Sequence, residues 1–239
     1  MMAVDYDSYM ATLSLGNSSL DQLLGGGVAT EKSTILVGEP GCGKTTLALQ
    51  FMLQSTAPEE LCTYICIDKK PERIMDKALG LNSTTSNKID SGQLKFMEVS
   101  LQDWSPDQPI NELLLNIQLQ VDALFQHFKA NRLVIDSLLP HVLYGVPAET
   151  KHYFIREFLH IIHTYQTTSL CILYDPQAHH SLWLETGMVS DQLLFYRHFD
   201  LNYITYWLEI SKNSQQNKSG KYRFTFDENK GIHLKHRSC

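Results

Sequence analysis

The sequence predicts an α/β fold in which a mostly parallel sheet is flanked by helices and continues into antiparallel strands at its C-terminal end. Apolar, β-rich runs alternate with helical stretches over the first two-thirds of the chain. A glycine-rich turn joins a short apolar strand to a helix near the N-terminus. After Asp191 the pattern changes to short apolar runs separated by polar turn residues, which is typical of hairpins.

The strands and helices follow from the spacing of apolar residues and from their flanking residues. Short apolar runs predict buried strands at Thr34–Val37, Leu61–Ile67, Lys95–Val99, Leu133–Ile135 and Ser169–Tyr174. A 3.6-residue apolar period, or a first turn opened by Pro-Glu, predicts helices at Lys44–Gln54, Pro71–Leu79, Asn111–Lys129 and Tyr153–Tyr165. The C-terminal strands are predicted at Leu201–Ser211, Tyr222–Phe226 and Gly231–Leu234. The polar stretch 82–92 is predicted to be a mobile loop.

Length and composition indicate a globular protein. The chain has 239 residues, 43% of them apolar and 19% charged, which is enough apolar surface for a core. A net charge of −6 argues against coating of nucleic acid by bulk electrostatics. No apolar run reaches the roughly 18 residues of a spanning helix, and the acidic N-terminus is unlike a secretory signal. We therefore expect a cytoplasmic protein and, because no linker is evident, one domain over residues 1–239.

The segment from Gly38 to Thr45, GEPGCGKT, fits the phosphate-binding pattern G-x-x-x-x-G-K-[ST] at every position. Glycine lets several backbone N–H groups approach a phosphate closely, and the N-terminus of the following helix adds partial positive charge. In this pattern Lys44 reaches the β- and γ-phosphates and the Thr45 hydroxyl ligates Mg²⁺. Because the pattern follows an apolar strand and opens a helix, it predicts nucleotide binding.

A second acidic site is predicted at Asp136, which ends the apolar run Leu133–Ile135. An acid at the end of such a strand holds Mg²⁺ through water in phosphate-loop proteins. Asp136 lies 91 residues beyond Thr45, with two more predicted strands between them. This spacing is typical of folds in which other strands are inserted between the two motifs.

Two further patterns are given structural interpretations. The run Asn87–Asp90 matches the N-K-x-D pattern that reads guanine, but it lies in a polar stretch and precedes Asp136, so ATP is favoured over GTP. His179 and His180 have no third ligand at the spacing of a metal site, so they are expected to be loop residues.

Several stretches carry a resemblance to a known family: the lead-in Leu20–Val28 (LDQLLGGGV), the segment Val189–Asp191, and the terminal hairpin formed by Leu208–Lys212, Tyr222–Phe226 and Gly231–Ile232. From about residue 14 to residue 234 the chain resembles the KaiC-like branch of the RecA superfamily of ATPases. The resemblance implies a RecA-like core with ATP bound between neighbouring subunits of a homo-oligomeric ring, commonly a hexamer. The chain looks like a single-domain member of this branch.

The chain departs from the family pattern at two places. Family members have a glutamate pair followed by x-Pro after the second strand, where one glutamate orients the attacking water; the matching residues here are Asp68 and Lys69. They also offer a K-x-R pair to the neighbour's γ-phosphate, and here Lys212 is present but Ser214 stands at the arginine position. Misplacement by about 1 Å can cost roughly a hundredfold in rate, and an arginine finger contributes about 10³ or more. Slow hydrolysis is therefore expected.

The motifs and the resemblance together give the predicted site. Lys44, Asp68 and Lys212 are the candidate catalytic residues, and Thr45 and Asp136 are the candidate Mg²⁺ ligands. The candidate nucleotide-binding residues are Gly38, Glu39, Pro40, Gly41, Cys42, Gly43, Lys44, Thr45 and Thr46.

Three functions fit these residues. The first is a slow, oligomeric ATPase whose nucleotide state controls its assembly or its affinity for a protein partner. The second is a catalytically degenerate protein that uses bound ATP for assembly or signalling. The third is a RecA-like accessory ATPase of DNA recombination or repair, against which stand the acidic balance and the lack of a basic, aromatic groove segment. Autophosphorylation is open in the family, but no residue here marks an acceptor.

Overall fold

The computed structural model describes residues 11–55, 57–102, 104–105, 107–126, 130–174, 189–200, 203–212, 219–227 and 231–234. The strands are β1 (Thr12–Leu13), β2 (Val28–Ala29), β3 (Ser33–Gly38), β4 (Cys62–Ile67), β5 (Leu94–Val99), β6 (Arg132–Asp136), β7 (Thr168–Leu173), β8 (Val189–Asp200), β9 (Tyr203–Lys212), β10 (Gly220–Asp227) and β11 (Gly231–Leu234). The helices are α1 (Ser18–Leu23), α2 (Lys44–Leu53), α3 (Glu72–Leu81), α4 (Thr85–Asp90), α5 (Ile110–Phe125) and α6 (Ala148–Thr164).

Nine of the described strands form one mixed sheet, in the order β11-β10-β9-β8-β3-β7-β6-β4-β5. Strands β3 to β8 pair in parallel, and β8 to β11 pair antiparallel. The inner strands β3, β4, β6 and β7 are buried along their whole lengths, as expected of parallel strands that are covered on both faces. The predicted α/β class, with antiparallel strands at the C-terminal end, is confirmed.

Two apolar clusters fill the space on either side of the sheet. One cluster packs Leu47 and Phe51 of α2 against the sheet, together with Phe224 of β10. The other packs Ile117 of α5 and Phe158 of α6 against the opposite face. None of the helices within the described ranges has both the length and the apolar character needed to cross a membrane.

The structure differs from the prediction in several elements. The polar stretch 82–92 contains the helix α4, whose Lys88 ammonium donates to the backbone carbonyl of Leu53 over 2.9 Å. The N-K-x-D run is thus part of a helix that packs near the end of α2. The 12-residue strand β8 was not predicted as a whole, and the short pair β1–β2 was not predicted at all. Of these elements, β8 has the largest effect on the candidate site, because it lies directly beside β3, the strand that precedes the phosphate loop.

Candidate functional site: a phosphate loop with a paired aspartate

The parallel strands end at one edge of the sheet, where the predicted site residues other than Lys212 gather. Strand β3 ends at Gly38, β4 at Ile67, β6 at Asp136 and β7 at Leu173. The residues that follow these strands therefore lie near each other although they are far apart in sequence. The carboxyl edge of a parallel sheet is where α/β proteins bind their ligands.

Glycine is required at both ends of the phosphate loop. Gly38 has φ +152°, and a methyl group added there would collide with the Phe195 carbonyl oxygen of the adjacent β8. Gly43 has φ +97° and precedes α2 without a side-chain cap from any described residue. The backbone N–H groups of the first turn of α2 therefore remain available to an anion.

Lys44 opens α2 and is only 2% exposed. Its ammonium donates to the carbonyl oxygens of Gly38 and Glu39 over 2.6 and 2.7 Å, so the side chain folds back over its own loop. Burial lowers the pKa of Lys44, although Cys42 and Asp136 act in the opposite direction. A desolvated cation held this way gains free energy when an anion approaches.

The side chains that follow Lys44 face a small cavity of about 120 Å³, which Gly41 to Thr46, Lys77 and Tyr174 line. The Thr45 hydroxyl lies 3.3 Å from the Tyr174 hydroxyl. The Thr46 hydroxyl is buried and has no hydrogen-bond partner in the part of the chain that is described. A buried hydroxyl without a partner is costly unless a ligand supplies one.

Asp136 is 1% exposed and has donors on both carboxylate oxygens. Oδ2 accepts from the Tyr64 hydroxyl over 2.8 Å and more weakly from the Tyr174 hydroxyl over 3.5 Å. Oδ1 accepts from the Lys69 ammonium over 2.8 Å. Burial and the nearby aspartate raise the pKa of both phenols, so the two tyrosines stay protonated and donate.

The two residues that follow β4, Asp68 and Lys69, have different surroundings. Lys69 is the side chain that reaches Asp136, and it is 27% exposed. Asp68 has φ +53° and is partly buried, and its backbone N–H donates to the Val99 carbonyl. A catalytic role for Asp68 stays a prediction.

Tyr174 connects the phosphate loop with the aspartate. The Lys44 ammonium lies 4.3 Å from the centre of the Tyr174 ring, and the Lys69 ammonium lies 4.4 Å from the same centre. Both distances are within the range of cation–π attraction. The hydroxyl of this ring touches both Thr45 and Asp136.

Arg197 of β8 brings a further cation to the loop. Its Nη2 lies 3.7 Å from Glu39 Oε2, and a side chain at Gly41 would begin 3.2 Å from its Nη1. The Nε of Arg197 is buried and has no acceptor among the residues described. The guanidinium therefore lies against the phosphate loop of its own chain.

Lys212 ends β9, and its ammonium donates to the Val189 carbonyl oxygen of its own chain over 2.7 Å. A role for Lys212 at a neighbour's nucleotide stays a prediction. Ser214, His179 and His180 lie outside the described residues.

Sequence reasoning missed Tyr64, Tyr174 and Arg197. It noted Lys69 only as a lysine at a position where the family has a glutamate. Tyr174 was included in a predicted strand, and its position directly after the strand beside the phosphate-loop strand was the available signal. Nothing in the sequence alone indicated that Arg197 would lie beside Gly41, because that proximity depends on the pairing of β8 with β3.

The residues fit the phosphates of a nucleotide. The free first-turn amides and the buried Thr46 hydroxyl of α2 lie at the phosphate loop, together with two cations, Lys44 of α2 and Arg197 of β8. They fit Mg²⁺ less well, because donors already occupy both oxygens of Asp136 and the Thr45 hydroxyl contacts Tyr174. The Mg²⁺ site at Thr45 and Asp136 stays a prediction.

Comparison with known proteins agrees with this geometry. The family described as the KaiC ATPase matches residues 14–187. The circadian clock protein KaiC2 of Synechocystis sp. is 28% identical over 145 residues, which cover 60% of this chain and 24% of KaiC2. The DNA repair and recombination protein RadB of Methanosphaera stadtmanae is 31% identical over 135 residues, covering 56% of this chain and 53% of RadB. The chain thus spans about a quarter to a half of these relatives.

A solved structure supports the fold independently. A KaiC-like protein from the hyperthermophilic archaeon Pyrococcus horikoshii OT3 superposes with a TM-score of 0.73 over 95% of this chain and 99% of its own. The two sequences are 19% identical, so this likeness concerns the fold alone.

Proposed function

Because the chain belongs to the KaiC family of ATPases, we propose that it binds ATP at the phosphate loop, hydrolyses it slowly and changes its assembly with the nucleotide it holds. The observation that carries the proposal is the loop itself, in which a buried Lys44, free helix amides and an unpartnered Thr46 hydroxyl face one cavity. Each of these groups is a donor or a cation, and together they suit a polyphosphate.

Slow hydrolysis is supported by how the acids of the site are engaged. A general base needs a carboxylate that is free to accept a proton from water. Asp136 is held by Lys69 and Tyr64. Asp68 is therefore the remaining candidate for the general base among the predicted site residues. The same contacts favour the second candidate function, a protein that binds ATP without turning it over.

Turnover of ATP per subunit, measured across a wide range of protein concentration, tests the proposal. We expect a rate at least about a hundredfold below the ~10 s⁻¹ typical of enzymes, rising with concentration because neighbouring subunits complete the site. Lys44→Ala is the control and should show no turnover. Tight ATP binding with no turnover above this control would contradict slow hydrolysis and support the degenerate alternative.

Assembly is supported by an apolar hairpin tip, which comprises Phe199 at the end of β8 and Tyr203 and Ile204 at the start of β9. These three side chains are 66%, 77% and 49% exposed. Large apolar groups gathered at such a tip are typical of contact surfaces. We propose that the tip packs against a second copy of the chain.

Ile204→Asp is expected to convert the ATP-bound oligomer into smaller species in size-exclusion chromatography, because a carboxylate would be desolvated in the contact. Leu119→Asp, at a site that is 60% exposed on α5, is the matched control and should leave the elution volume unchanged. An unchanged oligomer in folded Ile204→Asp protein would contradict a contact through the hairpin tip.

The similarity to RadB keeps DNA repair as a third candidate. The net charge of −6 weighs against it. Salt-sensitive binding of single-stranded DNA near physiological ionic strength would support this candidate over the other two.

A further inference from the structure

We propose that the Lys69 ammonium takes the charge-neutralising place of Mg²⁺ beside Asp136, so that this chain binds ATP without requiring the metal. The inference rests on the proposed function, since it concerns how ATP is held at the phosphate loop. Thr45 and Asp136, the Mg²⁺ ligands predicted from sequence, have other partners in the structure.

Asp136 is almost completely buried, and its Oδ1 is paired with Lys69 at 2.8 Å while its Oδ2 accepts from Tyr64 at the same distance. A carboxylate that holds a hydrated metal needs free lone pairs that point toward the metal's water. Here an ammonium already supplies the opposite charge, at a distance typical of a charge-assisted hydrogen bond.

The Thr45 hydroxyl contacts the Tyr174 hydroxyl, which in turn contacts Asp136 Oδ2. The phenol oxygen therefore bridges the two groups between which a metal and its water would have to lie. Metal entry would require Tyr174 to turn away from both of them.

Lys44 and Lys69 lie against the same Tyr174 ring, so two ammonium groups already flank the region that the phosphates would occupy. Adding a divalent cation there would bring like charges close together in a partly buried site, where Coulomb repulsion is strong. The two lysines can instead share the neutralisation of the phosphates, with Asp136 fixing the position of the second one.

The test is ATP affinity measured by calorimetry in Mg²⁺ and in EDTA, with the full chain. The wild type is expected to change its dissociation constant by less than about threefold between the two buffers, whereas Lys69→Gln is expected to lose about tenfold or more in EDTA and to recover in Mg²⁺. Glutamine keeps a hydrogen-bond donor for Asp136 but removes the charge. Lys70→Gln, the same change at the exposed neighbouring residue, should behave like the wild type in both buffers.

Each outcome of this experiment is decisive. A wild type that loses about tenfold or more in EDTA overturns the role of Lys69 and leaves ATP binding intact. Equal, metal-independent affinity in the wild type and in Lys69→Gln also overturns it, because the ammonium then contributes nothing. A wild type that binds ATP in neither buffer overturns the proposed function itself, and the inference with it.

Discussion

Lys44→Met is expected to remove the stabilisation of the protein by ATP without making the nucleotide-free protein less stable. The first effect arises because the Lys44 ammonium is the buried cation of the phosphate loop, 2% exposed and at the N-terminus of α2. Losing a desolvated, charge-assisted contact to a phosphate costs about 3 kcal/mol or more, which is a loss of affinity of about a hundredfold. The measurement is the shift in thermal unfolding midpoint at saturating ATP.

The second effect arises from the cost of burying the ammonium. Burial lowers the pKa of Lys44 below its ordinary value of 10.5, so the charged form is less favourable in the folded chain than in water. Below the lowered pKa, the wild type bears this cost in full. Between the lowered pKa and 10.5 the unfolded chain binds more protons than the folded chain, so the contribution of Lys44 to stability rises with pH.

The free energy of unfolding of Lys44→Met should therefore equal or exceed that of the wild type at neutral pH, and the difference should narrow as pH approaches 10.5. Lys221→Met is the matched control, because this lysine of β10 is 59% exposed and its contacts, an ion pair with Glu209 and a 4.8 Å approach to the centre of the Tyr196 ring, lie at the surface. A nucleotide-free Lys44→Met protein destabilised by more than about 2 kcal/mol would contradict the account, since the carbonyl contacts of the ammonium would then outweigh its desolvation.

The elements around the candidate site that were predicted from the sequence are those whose signal lies in contiguous residues. The phosphate-loop pattern, its preceding strand and its following helix all lie within one short stretch, so local patterns were sufficient. The position of Asp136 at the end of β6 also followed from a local apolar run. The order of the sheet did not, because it is set by pairing between strands far apart in sequence.

That order explains the contacts that sequence reasoning missed. Strands β4, β6 and β7 are neighbours in the sheet, which brings Lys69, Asp136 and Tyr174 together although no spacing rule connects them. From the sequence alone, Lys69 was noted only as a lysine at a position where the family has a glutamate. In the structure it is the partner of Asp136.

In the stretch 82–92, by contrast, a local pattern gave the wrong prediction. Its polar composition predicted a loop, but the helix α4 forms there. Thr85 is buried, and its hydroxyl donates to the Ala78 carbonyl of α3 over 3.0 Å. Lys88 is held by the end of α2. Tertiary contacts therefore order α4, and no local apolar period could have indicated it.

Arg132→Met is expected to destabilise the folded chain by about 3–5 kcal/mol, because it breaks a buried ion pair and leaves its partner uncompensated. Arg132 begins β6 and its side chain is 5% exposed. Its Nε donates to Glu60 over 2.5 Å, and its Nη1 donates to the carbonyl oxygens of Ser14 and Phe51 over 2.7 and 3.0 Å. The Arg132 guanidinium thus links the N-terminal segment, the end of α2 and the residues just before β4.

The measurement is equilibrium unfolding in denaturant, and the thermal midpoint should fall by about 10 °C. Arg156→Met is the matched control, since Arg156 pairs with Glu157 on the surface of α6 and is 53% exposed, so its loss should cost under about 1 kcal/mol. The control separates the effect of removing an arginine from the effect of breaking a buried pair.

The double variant Arg132→Met with Glu60→Gln distinguishes the cause of the loss. If the cost arises mainly from the stranded charge of Glu60, which is 16% exposed, the double variant should regain about 2 kcal/mol of the loss. If the double variant is no more stable than Arg132→Met, the cost arises from the unpaired carbonyls of Ser14 and Phe51 instead. A loss under about 1 kcal/mol in Arg132→Met alone would contradict both accounts and show that water replaces the guanidinium at this site.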